Sequence, residues 1–240
     1  MKILYISFKK IIIIIFFAVI FVLFLLFLLA NRNLLNTFNS FFEEPIYKGS
    51  DDFNKVALEC NVVWGTEYIP SMLNILKEYD IKITFFVGGE WARDNPDMLK
   101  LISKEGHEIG NHGFSHKHHA KLSLEENIDE IKNTENIIKE ITGITTYLFA
   151  PPYGEFDKNT LNAANSIGYK IIMWSIDTID WRGDGVDAIV NRALKNPHNG
   201  AFILIHPTED TIEALPIIIK GLKEKKYEIG TVSEVLPKRH

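Results

Sequence analysis

The fold class this sequence predicts is α/β: a parallel sheet curled into a closed or nearly closed barrel, preceded by one N-terminal transmembrane helix. Short apolar runs alternate with amphipathic segments six or seven times after residue 50, and that rhythm builds a parallel sheet with helices on its outside. The stretch holds ~190 residues, room for one domain of this kind. Residues suited to chemistry recur just past the apolar runs, at the strand ends where such barrels keep their sites.

Ile11 to Ala30 is an unbroken run of twenty apolar residues. As a helix it covers ~30 Å, the thickness of a bilayer hydrocarbon core. Lys2, Lys9 and Lys10 precede the run and Arg32 alone follows closely, so the positive-inside bias makes 1–10 a cytoplasmic stub and puts the following domain outside. The run exceeds a signal-peptide core, and LLANRN offers no A-x-A cleavage site, which favours an uncleaved anchor. Residues 31–50 lack a sustained period and read as a linker.

From residue 51 the expected strands are KVALEC (55–60), IKITFFV (81–87), HEIG (107–110), YLFA (147–150), YKIIMW (169–174) and AFILIH (201–206). Amphipathic helices are expected at IPSMLNILKEY, WARDNPDMLKLISKE, LEENIDEIKNTENIIKEIT and KNTLNAANSI. Ser123 with Glu126 forms a capping box at the start of the third, and Gly143 closes it.

Five of the 26 basic and two of the 31 acidic residues precede residue 51, which leaves the domain at net −8. That argues against nucleic acid as a partner. Cys60 is the single cysteine, so no internal disulfide forms and core packing must carry stability.

Five of the eight histidines fall in HEIGNHGFSHKHH, residues 107–119. His112 and His116 have the H-x3-H spacing of a metal pair. His118 and His119 read as solvated, and His107 as a packing or hydrogen-bonding residue. GHEIGNHGFSH after a helix, then APPYG, MWSIDTIDW and LIHP, in this order and at these separations, resemble the polysaccharide deacetylase family (the NodB-homology, carbohydrate esterase 4 group). TFFVGGEWARDNPDMLKLISKEGHEIGNHGFSH extends the likeness, which covers about residues 55–236.

The resemblance implies a distorted (β/α) barrel and metal-assisted removal of acetyl groups from a glycan. It makes His112 and His116 ligands of a divalent ion, Zn²⁺ or similar. Tyr153 offers its backbone N–H to the oxyanion. His206 is the general acid, oriented by Asp180, and Trp174 and Leu204 wall the pocket for the acetyl methyl.

Two motifs depart from the family's pattern. The family's first strand ends T-F-D-D, a general base followed by a third metal ligand. This chain has Asn61 and Val62 there; an amide takes no proton from water and a valine binds no cation. Where the family has an arginine before PPYG, this chain has Ala150. The losses fit together, since an arginine without its carboxylate would be an unpaired buried charge. Asn61 then becomes a substrate-binding residue. Glu67, at the entrance of the first helix, is the acid expected to replace the base. Glu59, two residues deeper on the face of Asn61, is a second acid, with Lys82 as its expected partner.

The first reading is a membrane-anchored, extracytoplasmic deacetylase of an N-acetylated cell-wall glycan such as peptidoglycan, with Glu67 or a bound hydroxide replacing the base. The alternatives are a pseudoenzyme of the same fold that binds glycan, and a membrane-tethered scaffold in wall or spore assembly. The motifs around His206, Asp180, Trp174 and Tyr153 favour the enzyme; Asn61, Val62 and Ala150 favour the binder.

Overall fold

The structure is a computed structural model that describes residues 8–30 and 44–237. The chain divides after Phe42 into two units. In the first, Phe8–Ala30 is a 23-residue helix, and its side chains from Ile13 to Phe24 are exposed. Among the described residues no helix is long and apolar enough to cross a membrane; several side chains of this helix fall outside that set. The expected stub through residue 7 and the linker at 31–43 also lie outside the described residues.

In the second unit eight strands form one parallel sheet. They are β1 (Lys55–Val62), β2 (Thr84–Val87), β3 (Glu108–Asn111), β4 (Leu148–Phe149), β5 (Lys170–Ile171), β6 (Ile176–Asp177), β7 (Phe202–Ile205) and β8 (Glu228–Gly230). The order is β5-β4-β3-β2-β1-β7-β6, with β8 beside β1. β1 is the hub: it pairs with β2, β7 and β8 along different parts of its length. The sheet curls as a half-barrel and is not joined edge to edge. β6 and β8 were not foreseen, and β5 is shorter than YKIIMW.

Alternation along β1 sorts its side chains. Leu58, Cys60 and Val62 enter the large cluster between sheet and helices, with Phe85, Val87, Ile203 and Ile205. Ala57 points the other way and meets Phe86, Ala150, Ile172 and Phe202 inside the curl. Glu59 and Asn61 share that inner face with Ala57.

Three helices follow the sequence reading closely, at Ile69–Glu78, Leu124–Thr142 and Lys158–Ser166. Ser123 and Glu126 make both bonds of the capping box, and Gly143 ends that helix in the left-handed region. The WARDNPDMLKLISKE segment instead splits into Gly89–Asp94 and Pro96–Lys104. Asn95 leaves helical geometry there, because the proline after it disfavours the α region. Val186–Leu194 and Glu209–Glu224 complete the outer layer.

Residues 44–50, read as part of the linker, belong to the fold. Ile46 bridges to Ile172, and Lys48 to Ala201. This extended piece hydrogen-bonds to Ile171 and Met173 on one side, and Gly49 donates to Gly200 on the other. It covers backbone that the short strands near the open edges leave unpaired.

Gly110 on β3 is forced by packing. A Cβ there would lie 2.3 Å from the ring of Phe86, which is fully buried. Gly110→Ala is expected to destabilise the domain by about 1–3 kcal/mol, the usual result of overpacking. Urea unfolding checks this, and an unchanged midpoint would show that Phe86 has room to yield.

Candidate functional site

The C-terminal ends of β1, β3, β6 and β7 surround a cavity of about 370 Å³. Asn61, His112, His116, Tyr153, Trp174, Leu204 and His206 all line it, joined by Val63, Trp64, Asp177 and Trp181. Of the nine catalytic, binding and metal residues expected from the sequence, seven line the cavity and an eighth, Asp180, stands directly behind His206; Glu67 is the exception.

His112 follows β3, and its backbone N–H donates to Val87. Its Nδ1 lies 2.7 Å from the Ala150 carbonyl, which places the proton on Nδ1 and leaves Nε2 bare. Burial, then the neighbouring His116, hold its pKa well below the ordinary 6.5. His116 is lowered by burial and then by His206, so both imidazoles are neutral near pH 7. Their ring centres are 5.2 Å apart. His116 sits at φ 52°, an uncommon conformation for a non-glycine residue.

That loop is held by Glu130, whose role has no signature in the sequence. Glu130 Oε2 accepts the N–H groups of Phe114 and Ser115, each at 2.8 Å, and Oε1 takes the Ser115 hydroxyl and Lys117. His119, expected in solvent, is fully buried, with Nδ1 2.6 Å from Asn127 Oδ1. His118 stacks on Tyr153 at 4.2 Å and meets Glu155. His107 is buried, accepts the Ile83 N–H, and has its pKa lowered to about 4 by burial and then Lys82.

Tyr153 occupies a tight turn at φ 61°. The turn's two bonds run from Gly154 to Pro151 and from Glu155 to Pro152, and neither uses the Tyr153 N–H. Gly154 must be glycine, since a Cβ would come within 2.7 Å of Trp174.

His206 follows β7 and Asp180 follows β6. Asp180 Oδ1 lies 2.7 Å from His206 Nδ1, and Oδ2 accepts the His206 backbone N–H and the Thr211 hydroxyl. The carboxylate is 1% exposed and satisfied by three donors. Trp64 lies nearly parallel to the His206 ring, 5.8 Å between centres.

Position 61 holds a carboxamide whose Oδ1 is buried and makes no hydrogen bond. Val62 points into the opposite core. Glu67, expected to replace the base, is exposed on the Thr66–Tyr68 turn and does not line the cavity. The cause is Gly65 at φ 72°, packed so closely on Pro207 that a Cβ would meet its carbonyl; it swings the chain outward after β1. Glu59 is buried below Asn61 with Oε2 unpaired, and burial, then Asp177, raise its pKa well above 4.5. Lys82 is no partner for it, because Glu59 sits opposite Thr84 in the register and Lys82 lies beside His107.

The donor set does not fit a firmly held divalent ion. Two bare imidazole nitrogens are available, but among the described residues no three His, Cys, Asp or Glu side chains form a metal-binding group. Asp177 is the one carboxylate among the cavity's lining residues. It pairs across β7 with the level of Glu59, deeper than Asn61, and its Oδ1 accepts the Ile179 N–H.

A parallel half-barrel with a buried His–Asp pair and two adjacent imidazoles at its strand ends is the arrangement that the carbohydrate esterase resemblance implies. The chain belongs to the polysaccharide deacetylase family, whose model matches residues 48–172. The uncharacterized protein YlxY of Bacillus subtilis is 42% identical over 193 residues, 80% of this chain and 60% of that relative. This chain therefore spans less than two thirds of that relative's length. A peptidoglycan-N-acetylglucosamine deacetylase of Bacillus cereus is 38% identical over 200 residues, 80% of this chain and 73% of the enzyme. Among solved structures, BA3943 of Bacillus anthracis, described as a CE4 family pseudoenzyme, superposes with a TM-score of 0.79 at 38% identity, covering 81% of this chain and 69% of that one. A mutant of it, described as having restored enzymatic activity, superposes equally well at 37% identity, covering 81% and 72%.

Glu59 makes stability depend on pH. Its folded pKa is raised, so between the unfolded value and the folded one the native state binds more protons than the unfolded chain. Stability is expected to fall as pH rises above about 4.5 through that window. Glu59→Gln should flatten this part of the profile, measured by urea unfolding at a series of pH values. A wild-type slope surviving in the variant would assign the effect elsewhere.

Proposed function

We propose that this chain is a membrane-anchored, extracytoplasmic member of the family that binds an N-acetylated cell-wall glycan in the strand-end cavity and has lost the hydrolytic step. One observation carries the reading: at the level where the family's base stands, this cavity presents the Asn61 carboxamide and no carboxylate. Water there has no carboxylate to take its proton, and the two neutral imidazoles have no anionic co-ligand. The names of the Bacillus cereus enzyme and of the Bacillus anthracis pseudoenzyme support the glycan class and the loss of chemistry respectively. Three exposed aromatic side chains at the rim, Trp64, Tyr153 and Trp181, suit sugar rings, which stack their C–H faces on aromatic surfaces.

A second reading, residual deacetylation, is favoured by the His206–Asp180 pair. Asp180 holds the His206 imidazole with its proton on Nδ1, so Nε2 could pass a proton to a departing amine once protonated. In the full-length protein in detergent micelles, the binding reading expects N-acetylated oligosaccharides to bind and no acetate to be released, with or without added Zn²⁺ or Co²⁺. Acetate release that is lost on His206→Ala would establish the second reading instead.

The same assay tests the first motif. Asn61→Asp with Val62→Asp and Ala150→Arg supplies an anionic ligand, a base and the cation that keeps the base ionised. Metal-dependent acetate release is expected to appear in this triple variant, and His206→Ala within it should lower the rate by ~10²–10⁴-fold. No release despite bound Zn²⁺ would place the defect outside these three positions.

The anchor rests on the apolar Phe8–Ala30 helix and the lysines before Ile11. Protease added to wall-stripped protoplasts is expected to digest residues 51–240 and spare the N-terminus, read by antibodies to each end. Protection of the domain would overturn the extracytoplasmic placement.

A further inference from the structure

Beneath the cavity two oxygen atoms lack hydrogen-bond partners, on side chains that alternate onto one face of β1: Asn61 Oδ1 and Glu59 Oε2. Asn61 is 5% exposed and lines the cavity; Glu59 is 1% exposed and sits one level below. A buried amide left unpaired is destabilising, and an apolar side chain would sit at position 61 without that penalty. A carboxamide that costs stability and faces a cavity marks a binding position.

We propose that Asn61 is the acetamido-recognising residue of this site, and that the cavity therefore distinguishes an N-acetylated sugar from its free amine. The inference rests on the glycan-binding reading and deepens it. The complement of a carboxamide is another amide. By a half turn about its last side-chain bond Asn61 presents either its carbonyl oxygen or its NH₂ group, and an acetamido group offers an N–H to the first and a C=O to the second. Leu204 and Trp174 supply an apolar wall for the methyl, and the Tyr153 N–H is unused within its own turn.

The charges nearby sharpen the selectivity. Around Asn61 the cavity wall is built from Val63, Trp64, Trp174 and Leu204, none of which carries a charge. A deacetylated sugar carries an ammonium group near neutral pH and would have to shed water against this wall. Asp177 is the one lining carboxylate able to receive that cation, and it is already bonded to the Ile179 N–H.

The test is calorimetric titration of the full-length protein in micelles with a β-1,4-linked N-acetylglucosamine tetramer and with the same tetramer fully deacetylated. The parent is expected to prefer the acetylated tetramer by about tenfold or more, the scale set by one well-placed buried hydrogen bond. Asn61→Ala should remove most of that preference while leaving the affinity for the deacetylated tetramer unchanged. Asn61→Leu, which has the same branching and number of side-chain heavy atoms as Asn, should do the same with an equal or higher melting temperature, which separates recognition from folding. Equal affinities in the parent, a preference for the amine through Asp177, or variants that weaken both tetramers alike would each overturn the assignment. If the parent binds neither tetramer, the glycan-binding reading falls with it; if it binds both equally, only the role of Asn61 falls.

Discussion

The site depends on the register of β1. This strand pairs with β8 through Lys55–Ala57, with β7 through Ala57–Cys60 and with β2 through Glu59–Val62, so a slip would break three ladders at once. Because side chains alternate, a shift of one residue would carry Asn61 into the core and bring Cys60 or Val62 to the cavity. The apolar outer face, with Leu58, Cys60 and Val62 fully buried against the helices, makes that shift prohibitive. Glu59 and Asn61 are thereby held inside the curl despite being polar.

The rebuilt first motif has an electrostatic logic. Ala150, 1% exposed, lies beside a cavity whose imidazoles are both neutral. A guanidinium at 150 would face no carboxylate at 61 and would be left buried and unpaired, which is strongly unfavourable. The carboxamide at 61, the neutral histidines and the small residue at 150 therefore form one consistent state. Restoring the acid alone would place a new charge next to Glu59 and Asp177 without a cation to balance it.

The His206–Asp180 pair admits a structural explanation as well as a catalytic one. Asp180 ties the loop after β6 to the backbone and ring of His206 and to Thr211 on the Glu209–Glu224 helix. Loss of the carboxylate would strand three donors in a buried place. Selection for folding alone would keep this pair after hydrolysis had been lost, so its persistence does not by itself argue for turnover.

Local signals in the chain were enough for the alternation of strands and helices, the capping box at Ser123, the strand-end position of His112, Tyr153, Trp174 and His206, and the substitutions at Asn61, Val62 and Ala150. The elements and the cap rest on periodicity or on a short motif, whose physics acts between near neighbours; the three substitutions are legible only through the family resemblance. Tertiary structure alone decided the rest. Glu67 reads as a plausible acid until Gly65, turning against Pro207, sends it into solvent. His119 reads as a solvated loop residue until Phe149 and Thr160, thirty and forty-one residues further on, pack against it. Glu130 carries no motif, yet it holds the loop that aims His116. Residues 44–50 lack any period because their hydrogen bonds go to strands more than a hundred residues away. Partners so far apart in the chain meet only when the sheet curls, and no window of local sequence contains both.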